Sequence, residues 1–151
     1  MKRARATAFS MIEVVVALGI VSFALISIFG LFSLGLKTNK ESSDQIQAAD
    51  LTSLLISTRR GMPTNTLSGF ALPPLNAGAT NTVTVGIDGK TTTNSLPAAD
   101  EYRLQYQIAV GTASAKVANV DLLLWWPATI ATPPTNNPGG YYEVSTQVLL
   151  P

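Results

Sequence analysis

A long uncharged stretch near the N-terminus constrains the fold of this chain more than any other feature. No Asp, Glu, Lys or Arg occurs in residues 14–36, and most side chains there are apolar. At about 1.5 Å per residue, a helix of this length spans roughly 35 Å, enough to cross the hydrocarbon core of a bilayer. The sequence therefore predicts a membrane-spanning helix, and the preceding Lys2, Arg3 and Arg5 predict a cytoplasmic N-terminus.

The remaining composition argues against several classes of function. Histidine and cysteine are absent, which removes the commonest general base, the commonest nitrogen ligand of metals and any disulfide. The carboxylates are scattered, and the adjacent Asp100 and Glu101 would point to opposite sides of a strand, which does not suit paired acid–base work. The sequence has no Gly-rich phosphate loop and no strongly basic surface beyond its first residues. We therefore expect no enzyme activity, no cofactor and no nucleic-acid partner.

One acidic residue, Glu13, lies just inside the apolar segment. An ionised carboxylate is costly in that position, and such groups are usually paired and functional. A secretory signal peptide is one interpretation of the segment, but it would have a shorter apolar core and a small-residue cleavage site, which LFSLGLKTNKES does not offer. A plain membrane anchor is a second interpretation, and it explains Glu13 only if the carboxylate reaches the lipid headgroups.

A third interpretation comes from a known family. The sequence AFSMIEVVVALGIVSFAL, residues 8–25, resembles the processing and assembly motif of type IV pilins and pseudopilins. In that family a short basic leader is cut before a Phe, the new N-terminus is methylated, and the mature chain has Glu at its fifth position. The resemblance implies a cut between Ala8 and Phe9, methylation of Phe9, and Glu13 as the fifth residue. Ala8 departs from the family, because the residue before the cut is usually Gly. The run VVALGIVSFALISIFGLF also resembles the pilin-like proteins of Verru_Chthon cassettes.

The resemblance implies a structural function with defined partners. A prepilin peptidase would remove residues 1–8, and an inner-membrane assembly platform would move the chain from the lipid into a type IV pilus or a type II secretion pseudopilus. In the family the Glu meets the N-terminal amine of a neighbouring subunit, so Glu13 would set the register between subunits. The head would lie outside the cytoplasm. The alternative is a bitopic inner-membrane protein whose periplasmic β-domain binds a ligand or a partner.

The helix is predicted to continue beyond the membrane. The sequence KTNKESSDQIQAADLTSLLISTRRGMP has no Gly or Pro before Gly61 and Pro63, and Arg59 and Arg60 suit the negative end of a helix dipole. An approximate stripe of mostly apolar residues predicts an amphipathic second half. The stripe consists of Ile46, Ala49, Leu51, Leu54, Leu55 and Thr58.

After Gly61 the sequence predicts an antiparallel β-sheet. Four segments alternate apolar and polar residues, and the first contains Asp88-Gly89, a strong hairpin signal. The predicted inward-facing residues are Val83, Val85 and Ile87; Tyr102, Leu104, Tyr106, Ile108 and Val110; Val120, Leu122, Leu124 and Trp126; and Tyr142, Val144, Thr146, Val148 and Leu150. One face of this sheet would pack on the amphipathic half-helix, which gives an α+β fold with a long N-terminal helix. The predicted parts are a leader (1–8), a transmembrane or filament-core helix (9–36), its amphipathic continuation (37–60) and a β head (61–151).

Two loops and an aromatic pair complete the predictions. Residues 61–81 are expected to be irregular, and residues 127–140 are rich in turn formers. The second loop offers Thr135, Asn136 and Asn137 but no carboxylate, so a turn is predicted there rather than a calcium site. Trp125 and Trp126 are interpreted as core and rim residues, and Leu123 and Trp125 are expected to contact a further element.

Overall fold

A computed structural model describes residues 9–92, 101–111, 116–133 and 139–151. Several residues singled out above lie outside the described residues, namely Lys2, Arg3, Arg5, Ala8, Asp100, Thr135, Asn136 and Asn137. The chain divides into two compact units, Met1–Lys40 and Glu41–Pro151. The first contains the apolar half of the N-terminal helix, and the second contains its continuation and the sheet.

The N-terminal helix α1 spans Met11–Gly61, 51 residues, as the lack of interior proline predicted. In the first unit, no residue of the apolar part of α1 is buried. The hydroxyls of Ser22 and Ser27 donate to carbonyls one turn earlier, so these polar groups are satisfied within the helix. The helical backbone and the hydroxyls of Ser22 and Ser27 in the apolar half of α1 are therefore compatible with lipid.

In the second unit, α1 buries a stripe on one side. Its members follow the three- and four-residue spacing of an amphipathic helix and are Ala48, Leu51, Thr52, Leu55, Ile56 and Arg59. The predictions for Leu51 and Leu55 are confirmed, but those for Ile46 and Leu54 are wrong because both side chains are exposed. The small Ala48 and Thr52 are buried, and the Thr52 hydroxyl donates to the Ala48 carbonyl at 2.8 Å.

The head contains a four-stranded antiparallel sheet in the order β1-β2-β3-β4. The strands are β1 (Ala79–Val85), β2 (Tyr102–Val110), β3 (Val117–Trp126) and β4 (Gly140–Leu149). The core contains the buried residues of α1 together with the inward faces of the strands. The predicted α+β fold, a long N-terminal helix with an antiparallel sheet, is confirmed.

The alternation predicted for the strands is confirmed over their central parts and fails at two ends. On β2 and β3 every predicted inward residue except Val110 is buried, and on β4 Val148 is buried while its alternate neighbours are half-buried. Val110 is exposed at the end of β2. Ile87 is 68% exposed, because β1 ends at Val85 and the chain turns at once.

The predicted turn at Asp88-Gly89 is present. Gly89 adopts a φ of +77°, which favours glycine, and its N–H donates to the Gly86 carbonyl at 3.1 Å. The Asp88 carboxylate accepts from the backbone N–H of Lys90 at 3.0 Å, and this bond lowers the pKa of the carboxyl group. The returning segment is short: Thr91 forms a bridge to Val85 of β1, and Lys90 forms one to Phe70.

The segment after α1, predicted to be irregular, is held against the helix by Arg59. This side chain is 1% exposed, and its guanidinium donates to the carbonyls of Leu72, of Asn65 at 2.8 Å and of Met62 at 3.3 Å. It also lies 5.0 Å from the centre of the Phe70 ring. The segment contains a short 3₁₀ helix, Leu75–Ala77. Arg59 therefore holds the backbone of the segment after α1 in place, and it also lies at the negative end of the helix dipole.

Both tryptophans of the pair are buried. The Trp126 ring belongs to the core and meets Tyr102 edge to face at 5.9 Å. Trp125 donates its indole N–H to the Ile130 carbonyl at 2.8 Å, and the adjacent Arg103 donates to the Ala128 carbonyl at 2.9 Å. The further contact predicted for Trp125 is therefore the segment that follows β3.

Candidate functional site

The apolar half of α1 presents a continuous exposed hydrophobic surface. Every large hydrophobic residue of this half is at least 49% exposed. A surface of this size is unfavourable in water and marks contact with lipid or with other proteins. By length and composition, the helix is able to cross a membrane. The first requirement of the candidate site is therefore an apolar environment around residues 11–36.

Glu13 lies in the first turn of α1. Its backbone N–H donates to the Ser10 carbonyl at 3.0 Å, which starts the helix, and a carboxylate in this turn interacts favourably with the helix dipole. The side chain lies among apolar neighbours, with Ala17 one turn after it on α1. Phe9 precedes the first residue of α1 and lines the same surface groove, so the two described residues of the predicted site lie close together at the start of the helix.

The described part of the first unit supplies no nearby cation for Glu13. The next basic residue along α1 is Lys37, which lies about 36 Å away at 1.5 Å per residue. Within residues 9–40, no cationic side chain lies close enough to Glu13 to pair with it. No group of three or more Asp or Glu residues among the described residues is placed to hold a metal ion.

A second feature of the described residues, in the head, was missed by the sequence analysis. A groove of about 400 Å³ is lined by Gln47, Asp50, Leu51, Leu54 and Ile87, and we call it the head groove. The sequence analysis assigned Leu54 and Ile87 to the core because both fit an apolar pattern. An isoleucine beside the turn-forming Asp88-Gly89 was the one sequence signal for an exposed wall, since turns lie at the surface.

Comparison with known proteins assigns no family to this chain. No protein-family model, no curated protein and no solved structure gives a significant match. The function is therefore inferred from the residues and geometry described above.

Proposed function

We propose that this chain is a pilin-like structural subunit, a minor pilin or a pseudopilin, that assembles into a type IV pilus or a type II secretion pseudopilus. The observation that carries the proposal is the placement of Glu13. It is an acidic residue in the first turn of an exposed apolar helix, four residues after the Phe9 that the resemblance makes the mature N-terminus. A plain anchor needs the apolar helix, but it does not call for a carboxylate at the fifth position after Phe9.

Removal of the leader would create a positive charge close to Glu13, where the described part of the helix has none. Hydrolysis of the peptide bond between Ala8 and Phe9 leaves a free α-amine on Phe9, which is largely protonated near neutral pH and keeps its charge when methylated. In an assembly of packed helices, this amine on one subunit pairs with Glu13 on the next. Each charge offsets part of the other's cost of leaving water, and the pair fixes the axial register between subunits.

The division of the chain into two units suits this function. The buried core lies entirely between Ala48 and Val148, and the apolar half of α1 contributes nothing to it. The head therefore does not need the apolar helix for its own packing, and the apolar helix is left for lipid first and for neighbouring subunits later.

The competing function is a bitopic membrane protein whose periplasmic domain binds a ligand or partner. The head groove favours it, because an exposed apolar cleft with one carboxylate is a plausible binding surface. The two functions differ in the fate of residues 1–8, which an anchor retains and a pilin-like subunit loses.

The deciding experiment determines the N-terminus of the mature chain by mass spectrometry. The full chain is expressed in a host with an active prepilin peptidase and, as a control, in the same host with the peptidase inactivated. We expect a chain that begins at Phe9 in the first host and a chain that retains residues 1–8 in the second. An Ala8→Gly variant, which restores the family's usual residue, serves as the positive control for cleavage. A native chain that keeps its leader while Ala8→Gly is cut would contradict processing of this protein.

The role of Glu13 is tested by removing its charge and keeping its shape. We expect Glu13→Gln to be inserted and cut normally but to be lost from sheared filaments, because the neighbour's amine loses its partner. Glu143→Gln removes a carboxylate from an exposed position on β4 and is the matched control. Equal amounts of both variants in the filament fraction would show that Glu13 does not direct assembly.

A further inference from the structure

We propose that the head groove binds a basic, apolar surface on the sheet of a second copy of this chain. The proposal rests on the pilin-like function, because it describes how neighbouring heads join. Its two surfaces lie in the same compact unit, Glu41–Pro151.

The head groove has the chemistry of a site for an apolar side chain next to a cation. Leu51 forms a buried floor, and Leu54 and Ile87 are exposed walls. Asp50 is exposed at the groove and is the charged member of its lining. Ile46, 63% exposed and one turn before Asp50, extends the apolar surface.

The groove is formed before any partner arrives. The Gly86–Lys90 turn packs directly on the helix, since a Cβ built on Gly89 would lie 3.3 Å from a methyl group of Leu54. The Gln47 side chain is fixed by a 2.9 Å hydrogen bond from the Tyr102 hydroxyl. A preformed site loses little conformational entropy when a partner binds, so a small contact area is enough for association.

Asp50 has no partner among the described residues, although other charged groups of the head do. Asp88 pairs with Lys90 at 3.5 Å, but no hydrogen bond or ion pair joins Asp50 to a described side chain. Its neighbours one turn away on the helix, Ile46 and Leu54, are apolar. A carboxylate between exposed apolar residues favours a cationic partner from outside.

A cationic surface that complements the head groove lies on the same chain, at the opposite end of the strands. Four cations of the described head have polar partners, since Arg59 and Arg103 donate to carbonyls, Arg60 donates to Thr146 and Lys90 pairs with Asp88. Lys116 is exposed and has no such side-chain partner among the described residues.

Lys116 also lies beside apolar side chains. It precedes β3, whose first residue Val117 lies opposite Leu149 in the sheet, and Leu149 is 76% exposed. The Lys116 carbonyl accepts from the Leu150 N–H at 2.7 Å, which holds its backbone against β4. We call Lys116, Val117 and Leu149 the Lys116 patch.

A contact between the head groove and the Lys116 patch joins two different surfaces. When one copy's groove is filled by the next copy's patch, a groove and a patch remain free at the two ends. Such head-to-tail contacts extend without limit unless the rotation closes them into a ring. A filament subunit needs a contact of this kind, which is why the second copy is favoured over a foreign peptide.

The contact is tested by disulfide cross-linking, for which the chain is suited because it has no native cysteine. The full-length double variant Ile87→Cys/Leu149→Cys is oxidised in membranes and sheared filaments and resolved on a non-reducing gel. We expect a ladder of dimers, trimers and larger species. Ile87→Cys/Tyr141→Cys is the control, since Tyr141 is exposed at the opposite end of β4, and we expect no ladder from it.

Charge exchange tests the pairing of Asp50 with Lys116. In the cross-linking background, Asp50→Lys or Lys116→Asp should lower the yield about tenfold, and the two together should restore it, as expected for a charge pair worth roughly one decade of affinity. Lys116 has a φ of +40°, which Asp tolerates better than most residues. Asp121→Lys, at an exposed position on β3, should leave the yield unchanged.

The outcomes separate this proposal from the proposed function. One outcome overturns the head contact alone. In it, the chain is cut before Phe9 and a Leu18→Cys variant cross-links through the apolar helix, but the Ile87→Cys/Leu149→Cys variant gives no ladder. A ladder from a chain that keeps its leader supports the head contact and overturns the pilin-like function. A double charge exchange that does not recover the yield overturns the pairing, and a chain that shows neither cleavage nor a ladder overturns both proposals.

Discussion

Arg59 shows how a single charged residue is accommodated in the head. Its guanidinium donates to the backbone carbonyls of Leu72, Asn65 and Met62, all in the segment that follows the helix. Burial lowers the pKa of this group, but an arginine begins so high that it stays charged at neutral pH. The planar fork of five donors suits several carbonyls at once, which an ammonium group does not.

Replacing Arg59 with Met should destabilise the head strongly. Arg59→Met keeps much of the aliphatic volume but removes the donor to the buried Leu72 carbonyl and the partly buried bonds to Asn65 and Met62. We therefore expect the free energy of unfolding to fall by about 3 kcal/mol. The measurement is urea unfolding of the full chain in detergent, followed by tryptophan fluorescence. Arg60→Met is the control: Arg60 is exposed and donates to Thr146 at 3.2 Å, so we expect a change within about 0.5 kcal/mol. Similar losses for the two variants would contradict the anchoring role.

The sequence did not distinguish Arg59 from Arg60 by hydropathy, because both are charged residues at the end of the same helix. Helical spacing does not separate them either, because position 59 continues the four-residue series of Leu51 and Leu55, and position 60 continues that of Thr52 and Ile56. Hydropathy places a charged residue outside by default, and the hydrogen bonds to carbonyls of the segment that follows the helix make the buried position of Arg59 favourable.

At the scale of elements, the sequence predicted the interior of each helix and strand better than its ends. The alternation of β2 and β3 was readable because both strands pair on both sides over most of their length. Ile87 fitted the alternation of β1, but the turn at Gly86 ends the strand before it. The stripe on α1 was misplaced by about one residue, because Ile46 and Leu54 were counted as buried by hydropathy and the small Ala48 and Thr52 were not.

The start of β4 depends on two glycines that pack against β3. A Cβ on Gly140 would lie 2.1 Å from the Trp126 ring, and one on Gly139 would lie 1.8 Å from the Trp126 carbonyl oxygen. The first pair of residues in the β3–β4 ladder is Trp126 with Gly140, so the ring and the strand cannot separate without breaking this end of the ladder. Glycine is therefore required here by close approach.

Gly140→Ala should loosen this end of the sheet. The added methyl group must displace the Trp126 ring, and overpacking of this kind costs typically about 1–3 kcal/mol in the free energy of unfolding. Thermal unfolding of the full chain in detergent, followed by near-UV circular dichroism, reports both the stability and the environment of the ring. Gly61→Ala, where nothing lies within 4 Å of the added Cβ, is the control and should be neutral or slightly stabilising. An unchanged midpoint and tryptophan signal in Gly140→Ala would mean that the ring is not confined.

At the scale of the whole molecule, the two units have different relations to solvent. The first exposes every large hydrophobic side chain of the apolar half of α1, whereas the second buries a core that includes Leu55, Leu104 and Trp126. The division was predictable, because an uncharged run gives way to a segment with charges on one side. What covers the apolar half is not encoded in hydropathy alone, since lipid and packed helices satisfy the same surface.

The independence of the head gives a prediction for the molecule as a whole. Removal of residues 1–36 should leave a folded protein that stays in solution without detergent, because none of the core residues lies in the deleted part. We expect its unfolding midpoint in urea to match that of the full chain in detergent, and its β-sheet signal in circular dichroism to be retained. The full chain, dialysed free of detergent, is the control and should precipitate or remain bound to vesicles. A truncated chain that is unfolded in buffer would show that the head needs the apolar helix in order to fold. The proposal that this helix serves only membrane insertion and assembly would then be wrong.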